Sequence, residues 1–324
     1  MDVTNGKTIG AHFSAIVEEN RNTISWRQGY ESARSALYAL LVTVRPARMW
    51  VPYYVCTAVN DAVKAAGVSI VNYKLENNFE PEASVVVGEN DLILLVNYFG
   101  LFSEMVDQQL RRFNRSQVVV DCSQTFIDQK FDCLACIYSP RKFLPVPDGG
   151  GIFYGGQLPQ LPGSNLASIS RYQCLLGRVA DEPEVSRESY LASEHSFDDI
   201  SLREMSDFTS KLIKSIDVGY IAAKRRENYM ALCSLNRLNE LPIALNDAVP
   251  LCYLFVTDNA AELRQHLTRN RVLTPKFWPD LMPVGNIERM MDSSAIFIPV
   301  DHRYSPGDMQ RVISLIVDFL GERA

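Results

Sequence analysis

From about residue 33 the chain alternates helical and extended patterns, and that alternation constrains its fold more than any other feature. Strands separated by helical stretches are joined by crossovers, which make neighbouring strands parallel, so the order is that of an α/β domain with a mainly parallel sheet. The pattern predicts helices over 35–42, 56–66 and 103–113, and strands over 49–51, 68–75, 91–99 and 117–121. Two more extended pieces follow at 134–138 and 151–154. Residues 157–195 mix prolines, glycines and charges without a clear period, so they read as a long surface excursion. Residues 197–238 are helical in pattern and read as a connecting arm. Strands over 252–256 and 295–300 with helices over 260–269 and 306–320 form a small α+β unit. The expected organisation is a large α/β domain over 1–225 and a smaller C-terminal α+β domain over 226–324.

With 324 residues, 47% of them hydrophobic, the chain can fill a large core and a smaller one. No apolar run approaches the ~18 residues that span a bilayer. The polar start, Met1 to Gly10, lacks the basic and apolar parts of a signal peptide, and a cytoplasmic location is expected. Seven cysteines at irregular spacing fit reduced thiols better than a disulfide framework. Cys133-Leu134-Ala135-Cys136 is a lone CxxC overlapping an apolar run, without a second pair or a nearby histidine, so it reads as part of a strand. Histidines 12, 195, 266 and 302 are scattered, and no metal site is expected. Net charge is −6, and Lys224-Arg225-Arg226 beside Glu227 reads as a solvated helix face, so nucleic acid is not an expected partner.

Two residues point to chemistry. Lys142 lies just beyond a predicted strand, in Ser139-Pro140-Arg141-Lys142-Phe143-Leu144-Pro145-Val146-Pro147-Asp148-Gly149-Gly150-Gly151. An amine set among apolar groups is disfavoured as the charged form, and the neutral form attacks aldehydes. Taken alone, the segment reads as an ordinary turn with a solvated lysine. Asp121 closes the run Val118-Val119-Val120, which places a carboxylate at the carboxyl end of a buried strand, where open α/β sheets bind ligands. A strand-end aspartate can also cap a helix. Together the pair suits pyridoxal phosphate (PLP): an amine for its aldehyde and an anion to keep its pyridine nitrogen protonated.

Further segments, in order, resemble the DegT/DnrJ/EryC1/StrS sugar aminotransferases, which are fold-type I PLP enzymes. They are Ser32-Ala33-Arg34-Ser35-Ala36-Leu37, Val51-Pro52-Tyr53-Tyr54-Val55-Cys56, Asn97-Tyr98-Phe99-Gly100, Asp121-Cys122-Ser123-Gln124, Lys142 with Asp148-Gly149-Gly150, and Phe297-Ile298-Pro299-Val300. The resemblance covers most of the chain. It implies that Lys142 joins the cofactor aldehyde and later carries the proton, and that Asp121 pairs with the ring nitrogen. Gln124 would meet the ring hydroxyl. The amides of Arg34 and Ser35 would meet the phosphate, as helix-terminus physics also favours, with the Ser139 hydroxyl beside them.

This sequence departs from the family pattern at several points. Ile137 stands where the family has a serine, Ala33 where it has a glycine, and Cys56 at the position of a ring-stacking aromatic, which leaves Tyr54 or Tyr98 to stack. Arg141 fits either a charge beside the amine or a salt bridge. Arg27, Arg34, Arg171 and Arg303 are all candidates for a donor carboxylate. The function implied is PLP-dependent transfer of an amino group from an amino-acid donor, glutamate, to a keto acceptor, possibly a keto-sugar, in a homodimer. Alternatives are other PLP-dependent lyase or transferase chemistry, or a non-catalytic regulatory protein of the same fold.

Overall fold

The computed structural model describes residues 26, 28–127, 129–161, 167–179, 183–278 and 281–321. Seven strands form one sheet: β1 (Gln28–Tyr30), β2 (Arg48–Pro52), β3 (Ser69–Tyr73), β4 (Asp91–Val96), β5 (Val118–Cys122), β6 (Ala135–Tyr138) and β7 (Gly150–Tyr154). Their spatial order is β1-β7-β6-β5-β4-β2-β3. β2 to β6 pair in parallel, and β7 runs antiparallel to both its neighbours. Helices α1 (Ala33–Val44), α2 (Thr57–Ala65) and α3 (Ser103–Arg112) lie between the early strands in the chain.

Burial explains the composition of each strand. Every residue of β4 and β5 is buried, so these central strands read as unbroken Leu, Ile and Val runs, whereas β3 at the sheet edge exposes Ser69 and Asn72. A short antiparallel return joins β6 to β7, and its turn, Pro140–Lys142, therefore sits at the carboxyl end of β6.

The excursion expected over 157–195 contains helices α4 (Ser168–Arg171), α5 (Gln173–Val179) and α6 (Pro183–His195). Ile169, Leu176, Val179, Tyr190 and Leu191 are exposed and Leu175 is half-buried, so the described apolar side chains of these helices make no buried stripe that would give the sequence a helical period. The expected arm is two helices, α7 (Asp207–Ser215) and α8 (Val218–Leu232), each begun by a side-chain cap: Ser206 accepts from the Thr209 amide and Asp217 from the Tyr220 amide. The boundary expected after residue 225 falls inside α8. Arg225 corrects the reading of a solvated basic face. It is buried, donates to the Pro250 and Leu251 carbonyls, and lies over the Phe143 ring, while Lys224 pairs with Glu227 as expected.

Strands β8 (Cys252–Val256) and β9 (Ala295–Pro299) pair antiparallel, accompanied by helices α9 (Ala260–Arg269), α10 (Asn286–Ser293) and α11 (Pro306–Gly321). Alternate residues serve two cores. Cys252, Leu254, Val256, Ala295 and Phe297 join the core of the large sheet, whereas Tyr253, Phe255, Ile296 and Ile298 join a second core with α9 and α11. No helix among the described residues is long and apolar enough to cross a membrane.

Candidate active site

Asp121 ends β5 and Lys142 ends the turn after β6, and parallel pairing of these strands brings both onto one cavity of about 150 Å³. Lys142 Nζ donates to Ser123 Oγ at 3.0 Å, and the Ser123 amide donates to Asp121 Oδ1 at 2.7 Å. Ser123 therefore tethers the amine by its hydroxyl and the carboxylate by its backbone. The sequence carries a local signal for this role, since a serine two residues past an aspartate suits an Asx-turn.

The start of α1 forms the opposite wall through Ser32, Ala33 and Arg34. Ser32 is its N-cap: Oγ accepts from the Ser35 amide at 3.1 Å and pairs with the Ser35 hydroxyl at 3.1 Å. Ser35 is thus buried behind the cap and does not line the cavity, while Ala33 and Arg34 do. Ala33, in place of a glycine, is the first residue of α1, where helical backbone accepts a side chain.

The Asp-Gly-Gly turn explains how α1 comes so near the lysine. The Gly149 amide donates to the Glu31 carbonyl at 2.7 Å, and a Cβ on Gly150 would lie 2.1 Å from the Ser32 carbonyl carbon. Only glycine allows that approach. Asp148, fully buried, accepts from Ser206 Oγ at 3.2 Å, and burial raises its pKa.

The remaining expected residues divide into those on the cavity and those behind it. Ser139 lines it, and Ile137 supplies an apolar wall where the family resemblance has a serine. Cys56 also lines it, just ahead of α2. Tyr54 and Tyr98 do not line it. They stack on each other at 5.6 Å, Tyr54 meets Trp278 edge-on, and burial raises the Tyr54 pKa well above the usual phenol range. Gln124 is buried, and its Oε1 accepts from the Phe99 amide at 2.9 Å, bracing a turn in which Phe99 and Gly100 both have positive φ. Its Nε2 is buried without a partner.

Cations near the site are held by acids. Arg34 donates to Asp198 and to the Phe197 carbonyl, and Arg141 pairs with Glu194 and lies 4.2 Å over the Phe197 ring. Of the three described arginines among the candidates for a donor carboxylate, only Arg34 lines the cavity. Arg171 is buried against Glu31, Arg303 is paired with Asp301, and Arg27 lies outside the described residues. Among the described residues no group of three or more His, Cys, Asp or Glu side chains is arranged to hold a metal ion.

Solved structures share this arrangement of elements. A DegT DnrJ EryC1 StrS aminotransferase from Brucella abortus is 14% identical with a TM-score of 0.62, over 90% of this chain and 85% of that one. The PLP form of the putative sugar aminotransferase Spr1654 from Streptococcus pneumoniae is 14% identical with a TM-score of 0.63, over 89% and 85%. The chain has the DegT/DnrJ/EryC1/StrS aminotransferase fold. Helicobacter pylori PseC, an aminotransferase of pseudoaminic acid biosynthesis, adds a TM-score of 0.62 at 13% identity, over 90% and 85%. No family model matches the sequence, and the comparison with curated proteins gives no match. In this fold Lys142 and Asp121 occupy the carboxyl ends of adjacent strands, where open α/β sheets bind ligands.

Proposed function

We propose that the chain is a PLP-dependent aminotransferase that takes an amino group from an amino-acid donor, glutamate, and delivers it to the keto group of a sugar. The observation that carries this reading is the convergence of Lys142 and Asp121 on one cavity beneath the start of α1. The residues fit the cofactor. The Ala33 and Arg34 amides belong to the first turn of a helix that lines the cavity, which favours phosphate. Ser139, also on the cavity, offers a hydroxyl to the same phosphate.

Bound there, PLP supplies a ring that accepts the electron pair released when the donor carbon loses its proton. Asp121 would keep the ring nitrogen protonated. Lys142 Nζ would hold the cofactor aldehyde, and the same amine would carry the donor α-proton. Ser123 Oγ gives the freed amine a fixed resting place. Ile137 and Leu94 keep one wall apolar and limit water near the amine. The cavity is smaller than the ~300–1,000 Å³ of complete small-molecule sites, as one half of a site shared between two copies would be, and we take the active form to be a homodimer.

A second reading, a PLP-binding protein without turnover, draws on Cys56, which places no ring over the cavity. One titration separates the two. Protein mixed with PLP should gain a visible-range absorbance band that Lys142→Ala lacks, and glutamate should convert it to the spectrum of the aminated cofactor. A band that glutamate leaves unchanged favours the second reading. A band that survives in Lys142→Ala, or no band at all, sinks the first.

A further inference from the structure

Behind the active site, on the other face of the sheet, three cysteines meet. Along β6, Ile137 faces the cavity, so its neighbours Cys136 and Tyr138 face away, and Cys122 stands opposite Tyr138 in the register. Cys133, just before β6, places its sulfur 3.5 Å from that of Cys136. A surface groove with walls that include Phe131, Phe153 and Tyr154 opens onto both sulfurs. Cys133 is half-buried, whereas Cys136 and Cys122 are buried.

We propose that Cys133 and Cys136 are a reversible modification site, a dithiol that closes to an intramolecular disulfide by exchange with an anionic low-molecular-weight disulfide. The step balances. Cys133, the outer sulfur, gives up its proton and bonds to one sulfur of the external disulfide, whose S–S bond breaks; the departing thiolate takes up the proton. Cys136 then attacks the Cys133 sulfur, breaks the mixed disulfide and expels the second external thiolate, which takes the Cys136 proton. Two protein thiols are oxidised and one external disulfide is reduced to two thiols.

Three features support the assignment. Closing the 3.5 Å gap to the ~2.05 Å of an S–S bond takes a movement of about 1.5 Å, and Cys133 lies outside the strand ladder, where its amide holds only the nearby Phe131 carbonyl. Cys133, the more accessible sulfur, meets the reagent first although its partnership with Cys136 raises its pKa, and the hydrogen bond from Cys122 still favours Cys136 as the closing nucleophile once Cys133 is in the mixed disulfide. Lys130, over the Phe153 ring at 4.2 Å, lines the groove with a cation suited to an anionic reagent.

The test is independent of PLP. The full chain is incubated with glutathione disulfide, quenched in acid, unfolded, alkylated and mapped by mass spectrometry. The peptide carrying Cys133 and Cys136 should lose alkylation at both positions together, become two hydrogens lighter, and recover both labels after dithiothreitol. In Cys136→Ser, glutathione should remain attached to Cys133. In the wild-type chain, full alkylation of both cysteines, a persistent glutathione adduct on Cys133, or a bond from Cys133 to Cys122 would each overturn the proposal, whatever the variant's fate.

Discussion

Lys142 Nζ rests 3.0 Å from Ser123 Oγ. Because the Ser123 amide also binds Asp121, one short turn fixes the separation of amine and carboxylate before any ligand arrives. Ser123→Ala removes the hydroxyl and leaves the backbone tether. A net hydrogen bond of ~1 kcal/mol corresponds to roughly fivefold in rate. Development of the visible band after adding PLP should slow by about that factor, and unfolding stability should fall by no more than ~1 kcal/mol; an unchanged rate would show that the hydroxyl does not hold the amine.

Gly150→Ala tests how α1 is placed. Its Cβ would meet the Ser32 backbone at 2.1 Å, and backbone cannot yield as a flexible side chain does. Overpacking costs ~1–3 kcal/mol where side chains adjust, so at least ~3 kcal/mol is expected here. Denaturant unfolding measures the loss, and affinity for PLP should fall with it. Wild-type stability would contradict the close approach of β7 to α1.

Asp148 should impose a pH dependence on stability. Its pKa is raised by burial, so the folded chain binds that proton more tightly than the unfolded chain does. Stability is therefore greatest below the ordinary aspartate value and is lost as pH climbs through the raised one. Asp148→Asn keeps an oxygen for the Ser206 hydroxyl and removes the titration. Its Tm should vary less across that window than the wild-type Tm, and an identical slope would place the effect on another group.

Arg171 should matter for stability and not for donor binding. Both it and Glu31 are 3% exposed in their ion pair. Removing one partner of a buried pair costs up to ~3–5 kcal/mol when the other charge stays buried and unpaired, and Arg203, 3.6 Å from Glu31, offsets part of that here. Arg171→Met should lose up to that much by denaturant unfolding, and adding Glu31→Gln should restore part of it. A selective rise in the KM for glutamate with stability intact would return Arg171 to the donor site.

Local pattern made the architecture legible. The apolar runs of β4 and β5 and the position of Asp121 near a strand end are properties of adjacent residues, whereas β8 and β9 are apolar throughout and only packing assigns their alternate faces to two cores. The helices over 168–195 were not legible, because a helix whose apolar residues face outward carries no periodic record of its packing. Likewise nothing local distinguished Arg225, buried over Phe143, from Lys224, half-buried one residue earlier.

The sequence by itself determined most of the strands of the large sheet and the helices between them, and that an acid stands near the end of one strand and an amine just beyond the next. Tertiary structure alone decided which groups meet: Ser123 with Lys142, 19 residues apart, Arg34 with Asp198, 164 apart, and Gln124 Oε1 with the Phe99 amide instead of the cavity. Periodicity is set by each residue's near neighbours along the chain. A side chain's hydrogen-bond partner depends on which distant backbone arrives beside it, and only the closed packing of the sheet and its helices brings those segments together.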